Sequence, residues 1–280
     1  MNAKLDGLLR LLRDDDPSTS GLIKGQLAER GIGALAEMRM LLAEADEVAG
    51  RHLREVIGLI ESNQAQAIFG RTCQQFSRGG DLEEAAWELG AVFCPQANFL
   101  GEREQLDRWG EEVARRFGKA VTAVDQIETL VEFLGEELGF RGNVEDYNKL
   151  DNSLLPKVIE TRCGIPITLS LVYILVAKRA GMTISGVGMP GHFLIRHEQS
   201  FFDPFHGGVQ IGLEECRQRM AKQGLRLSAS SLQPVSAEQF LVRILNNLCG
   251  LSEQIDPPLM AKLEEWIEVL NEGGKTAAGE

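Results

Sequence analysis

The run from Ile165 to Ala180, Ile-Pro-Ile-Thr-Leu-Ser-Leu-Val-Tyr-Ile-Leu-Val-Ala-Lys-Arg-Ala, constrains the fold more than any other stretch of the chain. Proline is well suited to the first position of a helix, where its missing N–H would be unpaired anyway and its φ is already set. The spacing therefore predicts a helix over Ile167 to Ala180 opened by Pro166. Apolar residues lie nearly all round it, and a helix of that kind is buried on most sides. Pro166, Thr168 and Ser170 interrupt it, and it falls short of the ~18 apolar residues that span a bilayer. It is the expected buried helix of a folded core.

The segments on either side supply the rest of that core. Ser153 is placed to cap a helix over Leu154 to Arg162, with Gly164 closing it. Beyond Gly181 the texture changes to short runs that read as strands: Ile184 to Val187, His192 to Arg196 and Phe201 to Asp203. Helices flank this region. Leu106, Trp109, Val113 and Phe117 mark one, and Ile127, Leu130, Val131, Leu134 and Leu138 mark the next, with Gly139 to Asn143 a loop. Ser236 and Gln239 form a capping box, and Asp256-Pro257 opens a last helix through Leu270. The tail from Asn271 is polar and Gly/Ala-rich, the composition of a disordered end.

From Leu5 to about Arg78 the pattern is one of short helices, with Leu35, Met38, Leu41, Leu42, Leu53, Val56, Ile57 and Ile60 on apolar faces. Breaks at Asp14-Asp15-Asp16-Pro17 and Arg30-Gly31 are the punctuation of stacked helical hairpins such as HEAT units, although no clean period repeats. Arg78-Gly79-Gly80 separates this block from the next, which Asp81 opens as a helix cap. The expected organisation is α+β: a helical domain over 1–80, a core over 81–253, and a C-terminal helix with a disordered tail over 254–280.

At 280 residues and 44% apolar composition the chain can fill a sizeable core. A formal net charge of −12 and the lack of a Lys/Arg cluster argue against nucleic acid as a partner. The N-terminus has no signal-peptide pattern, which makes the cytoplasm the expected location and leaves no membrane partner. Cys73, Cys94, Cys163, Cys216 and Cys249 are odd in number and contain no Cys-x-x-Cys pair, so they signal neither a disulfide framework nor a zinc site.

The segment Gly188 to Phe205 carries chemistry of its own. If its hairpin turns through a two- or four-residue loop about Glu198 and Gln199, Leu194 faces Asp203, and His192 becomes a diagonal neighbour of Asp203 on the same face. An imidazole-to-carboxylate bond there would fix the ring tautomer and raise its basicity. A three- or five-residue loop would send the two side chains to opposite faces. A histidine beside Pro-Gly also serves as a plain turn residue, and Asp-Pro as a plain strand end.

Several motifs in order, Asn152-Ser153-Leu154, Gly164-Ile165-Pro166-Ile167-Thr168-Leu169-Ser170, Pro190-Gly191-His192-Phe193 and Asp203-Pro204-Phe205, resemble the transglutaminase-like superfamily. Tyr147 and Arg162 belong to the same likeness, whose span includes Gly139 to Asn143 and Arg243 to Leu248, and more narrowly the run resembles the SirB-type branch, bacterial proteins named as regulators of invasion genes. The likeness covers about Asp81 to Leu248. It implies a papain-like core in which a central helix presents a cysteine at its N-terminus to a small antiparallel sheet carrying a histidine and an aspartate. On that template His192 takes the general-base position and Asp203 the orienting acid.

The superfamily's nucleophile would fall near Pro166 to Thr168, where this chain has no cysteine. Cys163 lies three residues earlier and is one candidate; Thr168 or Ser170 activated by His192 is another; a site without a nucleophile is the third, and a buried free cysteine is a common core residue. His192, His197, Asp203 and His206, with Cys163, carry metal-ligand chemistry. Strand parity sends His197 to the face opposite His192, and its place at the hairpin tip points it to solvent, so no metal or cofactor is expected. The expected function is a non-catalytic or weakly catalytic module that binds a protein or peptide in the retained cleft, with regulation implied by the resemblance alone. The alternative is a cysteine-dependent amide hydrolase or acyl transferase using Cys163, His192 and Asp203.

Overall fold

The structure is a computed structural model that describes residues 17–118, 122–226 and 228–277, with the isolated positions 7, 10 and 12. The expected break at Asp14 to Asp16, and most of residues 5–16 at the start of the expected helical stretch, lie outside the described residues. Contacts divide the chain into two compact units, residues 1–71 with 88–97 and residues 72–87 with 98–280. No helix among the described residues is long and apolar enough to cross a membrane.

In the first unit, α1 (Pro17–Ala28), a 3-10 turn (Ile32–Ala34) and α2 (Leu35–Glu44) precede α3 (Glu47–Gln75). Leu35, Met38, Leu41, Leu53, Val56, Ile57 and Ile60 share one buried cluster, the residues that helical spacing selects. The helices are not all short: α3 runs for 29 residues. It contains no proline, and its glycines weaken a helix without ending it. α4 (Leu82–Phe93) follows, its residues 82–87 belonging to the second unit; there Asp81 Oδ1 accepts from the backbone N–H groups of Glu83 and Glu84 at 2.7 and 3.2 Å.

The second unit holds α5 (Leu100–Phe117) and α6 (Ala123–Val131), the latter running on through a π turn (Glu132–Glu137). Thr122 and Asp125 cap α6 reciprocally. The expected loop at Gly139 to Asn143 contains β1 (Arg141–Gly142) instead, paired in parallel with β2 (Cys163–Gly164). Arg141 N–H donates to Arg162 O and Asn143 N–H to Gly164 O, at 3.1 Å each. α7 (Leu155–Thr161) lies between them. Ser153 does not cap it: Leu154 is the N-cap and no side chain satisfies it, while Arg162 and not Gly164 takes the left-handed turn at its end, φ 59°.

The buried helix is α8 (Pro166–Arg179), with Pro166 at its first turn as expected and Leu169, Leu171, Val172, Tyr173, Val176 and Ala177 fully enclosed. Each large apolar side chain taken out of water there contributes roughly 1.5 to 3 kcal/mol. α5, α7, the strands Ser185–Met189 and His192–His197, and α10 (Ala237–Cys249) pack on it. Its last turn is tied down by Arg179, whose guanidinium donates to Glu83 at 2.6 and 3.0 Å and to Asp107 at 2.7 Å.

The sheet is an antiparallel meander in the order β3 (Ser185–Met189), β4 (His192–His197), β5 (Ser200–Asp203), β6 (Val209–Ile211). β6 is a strand that the alternation did not reveal, because Val209-Gln210-Ile211 is too short to display a period. α9 (Leu213–Lys222) packs Cys216 and Met220 into a cluster with Val187, Met189, Leu194 and Phe201. α11 (Pro257–Ala277) closes the chain. The tail expected to be disordered from Asn271 is helical as far as Ala277, an extension of the turns that bury Leu263, Trp266 and Leu270.

Candidate functional site

β3 and β4 turn through Pro190-Gly191, with Met189 paired to His192 and Gly191 at φ 67°. β4 and β5 pair Ile195 with Phe202, Arg196 with Phe201 and His197 with Ser200, so Glu198 and Gln199 form a two-residue turn. That register carried one step further sets Leu194 opposite Asp203. His192 and Asp203 share a face, and His192 Nε2 lies 2.8 Å from Asp203 Oδ2.

Asp203 is fully buried and heavily bonded. Its Oδ2 also accepts from His206 Nδ1 at 2.8 Å and Arg219 Nη1 at 2.9 Å, while Oδ1 accepts the N–H of Phe205 at 3.1 Å. Burial alone would push this carboxyl up, but the bonds and charges of His192, His206 and Arg219 outweigh it and hold Asp203 at about 2. An ionised carboxylate only accepts, so His192 must carry its proton on Nε2 and His206 on Nδ1. In a neutral His192 ring the lone pair is then on Nδ1, to which no described residue hydrogen-bonds.

The turn Pro204–His206 that follows β5 is seated by two close approaches. A Cβ on Gly142 would lie 2.3 Å from the Phe205 ring, and one on Gly135 would lie 2.0 Å from the carbonyl oxygen of Gly207. Only glycine permits both. Phe205, held in this way, meets His192 edge-on at 6.0 Å between ring centroids and Tyr147 at 5.9 Å.

Two cavities open beside His192. One, of about 390 Å³, is lined by Tyr147, Pro166, His192, Phe205, Arg219 and Lys222 among others. The other, of about 150 Å³, shares Tyr147, Pro166, Gly191 and His192 and adds Arg243 and Asn247. Pro166, the first residue of α8, thus stands at the position where a nucleophile would face His192.

Of the residues proposed as nucleophiles, Cys163 sits half-buried in β2 and lines neither cavity. Thr168 is enclosed, its hydroxyl donating to Asn152 O at 2.6 Å. Ser170 is fully buried, and its Oγ has no hydrogen-bond partner among the described residues. Asn152 does not reach into the cleft; its side-chain amide donates to the carbonyls of Asp146 and Tyr147 and fastens that loop. His197 departs from expectation: its ring turns back to Thr183 O at 3.2 Å, with Nε2 buried, and does not extend into solvent.

His192, Asp203 and His206 bring their ligand atoms within 4.8 Å of one another, a spacing that suits a metal ion. The guanidinium of Arg219 already stands on Asp203 Oδ2, where a divalent cation would have to displace it, so the donor set fits a hydrogen-bonded cluster better than a metal centre. Arg219 was not foreseen from the sequence. Its only local signal is the i,i+4 pair with Glu215, which is common on exposed helices.

The sequence profile described as the transglutaminase-like superfamily matches residues 102–246, a span containing every residue named in this site except Asn247. A UPF0162 protein of Xylella fastidiosa is 40% identical over 135 residues, 44% of this chain and 48% of its own length. The chain spans about half the length of the first curated relatives it matches. A UPF0162 protein of Pseudomonas aeruginosa is 28% identical over 202 residues, 70% of this chain and 74% of its own length. Human F-box only protein 21 is 30% identical over 133 residues, 43% of this chain and 21% of its own length. No solved structure matches. With the profile covering more than half of its length, on a fold of the corresponding kind, the chain belongs to the transglutaminase-like superfamily.

Proposed function

We propose that this chain is a non-catalytic, or at most weakly catalytic, member of the SirB-type branch that binds a protein or peptide in the cleft beside His192 and acts as a regulator in the cytoplasm. The observation that carries the reading is Pro166: the residue lining both cavities with His192 at the start of α8 has no nucleophilic atom. The hydrogen-bonded His192–Asp203 pair then serves to shape the wall of a binding cleft. Five free thiols suit a reducing compartment.

The competing reading, a hydrolase or acyl transferase with Cys163 as nucleophile, His192 as base and Asp203 as orienter, requires the thiol to enter a cleft it does not line. Assay of the purified chain on amide and thioester substrates decides between them. No turnover above background is expected, and turnover that His192→Ala abolishes would overturn the binding reading.

A further inference from the structure

The charge of the cleft runs against the charge of the chain. The protein has 41 acidic against 29 basic residues, yet no aspartate or glutamate lines either cavity beside His192. Asp203 lies behind the wall with its charge taken up by His192, His206 and Arg219. Three permanent cations do line the cavities: Arg219, Lys222 and Arg243.

Two of these have no anionic partner among the described residues. Arg219 is neutralised by Asp203 at 2.9 Å and Glu215 at 2.7 Å. Lys222, exposed at the end of α9, forms no ion pair with a described residue. Arg243 is half-buried; its Nη2 donates to the carbonyls of Met189 and His192, and its guanidinium lies 5.3 Å above the Phe193 ring. Those partners orient the side chain without cancelling its charge. A half-buried guanidinium whose hydrogen bonds go to carbonyls keeps its charge and favours an incoming carboxylate. The same lining also offers apolar and aromatic surface, with Val144 75% and Tyr147 45% exposed, and Phe205 against the Tyr147 ring.

We propose that the cleft takes an acidic peptide segment, its carboxylates set against Lys222 and Arg243 and its apolar side chains against Val144, Tyr147 and Phe205. This names the occupant for the binding reading above and rests on it. A nucleic acid offers anions too, but its polyphosphate would meet a chain of net charge −12 with only two uncompensated cations at the site.

The test is to pan a random dodecapeptide library on the 280-residue chain and to measure the enriched peptides by fluorescence anisotropy. Enriched sequences are expected to place Asp or Glu next to aliphatic or aromatic residues. Lys222→Glu is expected to weaken them about tenfold. Lys262→Glu, the same charge change at a lysine lining neither cavity, is expected to weaken them by less than about twofold. Enrichment of neutral or basic peptides, equal effects of the two substitutions, or tighter binding of an oligothymidylate probe would each overturn the acidic assignment and leave the cleft's binding role standing. Failure to enrich any peptide would instead remove the peptide-binding reading itself.

Discussion

Asp203 concentrates more of the site's energetics than any other residue. Its carboxyl is held at about 2, against an ordinary value of 3.8, while it is fully enclosed. A depressed carboxyl contributes stability that is complete above its unfolded value and is lost as pH falls through its folded one. The contribution, roughly 2 kcal/mol from the size of the depression, should therefore fade between about pH 4 and pH 2. Urea unfolding of the chain and of Asp203→Asn should differ by that amount at pH 7, and the gap should shrink across this window. A gap that stays constant would mean the carboxylate is not held as described. Gly135→Ala should cost about 1 to 3 kcal/mol, and more than Gly142→Ala. The first meets a backbone carbonyl at 2.0 Å, whereas the second meets an aromatic ring that can turn. Thermal melts of the two variants give the order. The His192–Asp203 relation was legible because strand parity and a two-residue turn are local rules. The bonds from His206 and Arg219 were not, since they depend on how a 3-10 turn and α9 fold back onto β5.

Among the elements, α8 was the most legible and is the most informative. An apolar run opened by proline fixes both its identity and its burial, and the same proline fixes what stands at its N-terminus. Placing a thiol there tests whether the remaining machinery is intact. In Pro166→Cys, the introduced sulfur would lie at a helix N-terminus beside the His192 ring, an environment that favours thiolate. Its alkylation by iodoacetamide at pH 7 should be at least about tenfold faster than that of Cys163, and should slow when His192→Ala is added. Equal rates at the two positions would show that α8 does not present its first residue to His192. Where element reading missed, the reason is length or context. β1, β2 and β6 are two or three residues long and exist only through their partners. The expectation of short helices fails at α3, where packing of Leu53, Val56, Ile57 and Ile60 carries one helix through 29 residues.

For the whole molecule, the last helix shows where composition misleads. Residues 272–277 are mostly polar or small and glycine-bearing, but they continue a helix already anchored by Leu263, Trp266 and Leu270. Trp266→Ala should cost about 3 to 5 kcal/mol in chemical unfolding, whereas truncation after Asn271 should shift the midpoint little. The broad α+β class follows from a buried helix next to a meander, and the motifs in order point to the superfamily. What the chain does within that fold turns on whether any thiol is coupled to the His192 ring. The most direct measurement is the rate of Cys163 alkylation by iodoacetamide, followed by peptide mass spectrometry, in the wild-type chain and in His192→Ala. A cleft without a nucleophile predicts rates equal within about twofold. A wild-type rate that drops tenfold or so when the imidazole is removed would contradict it.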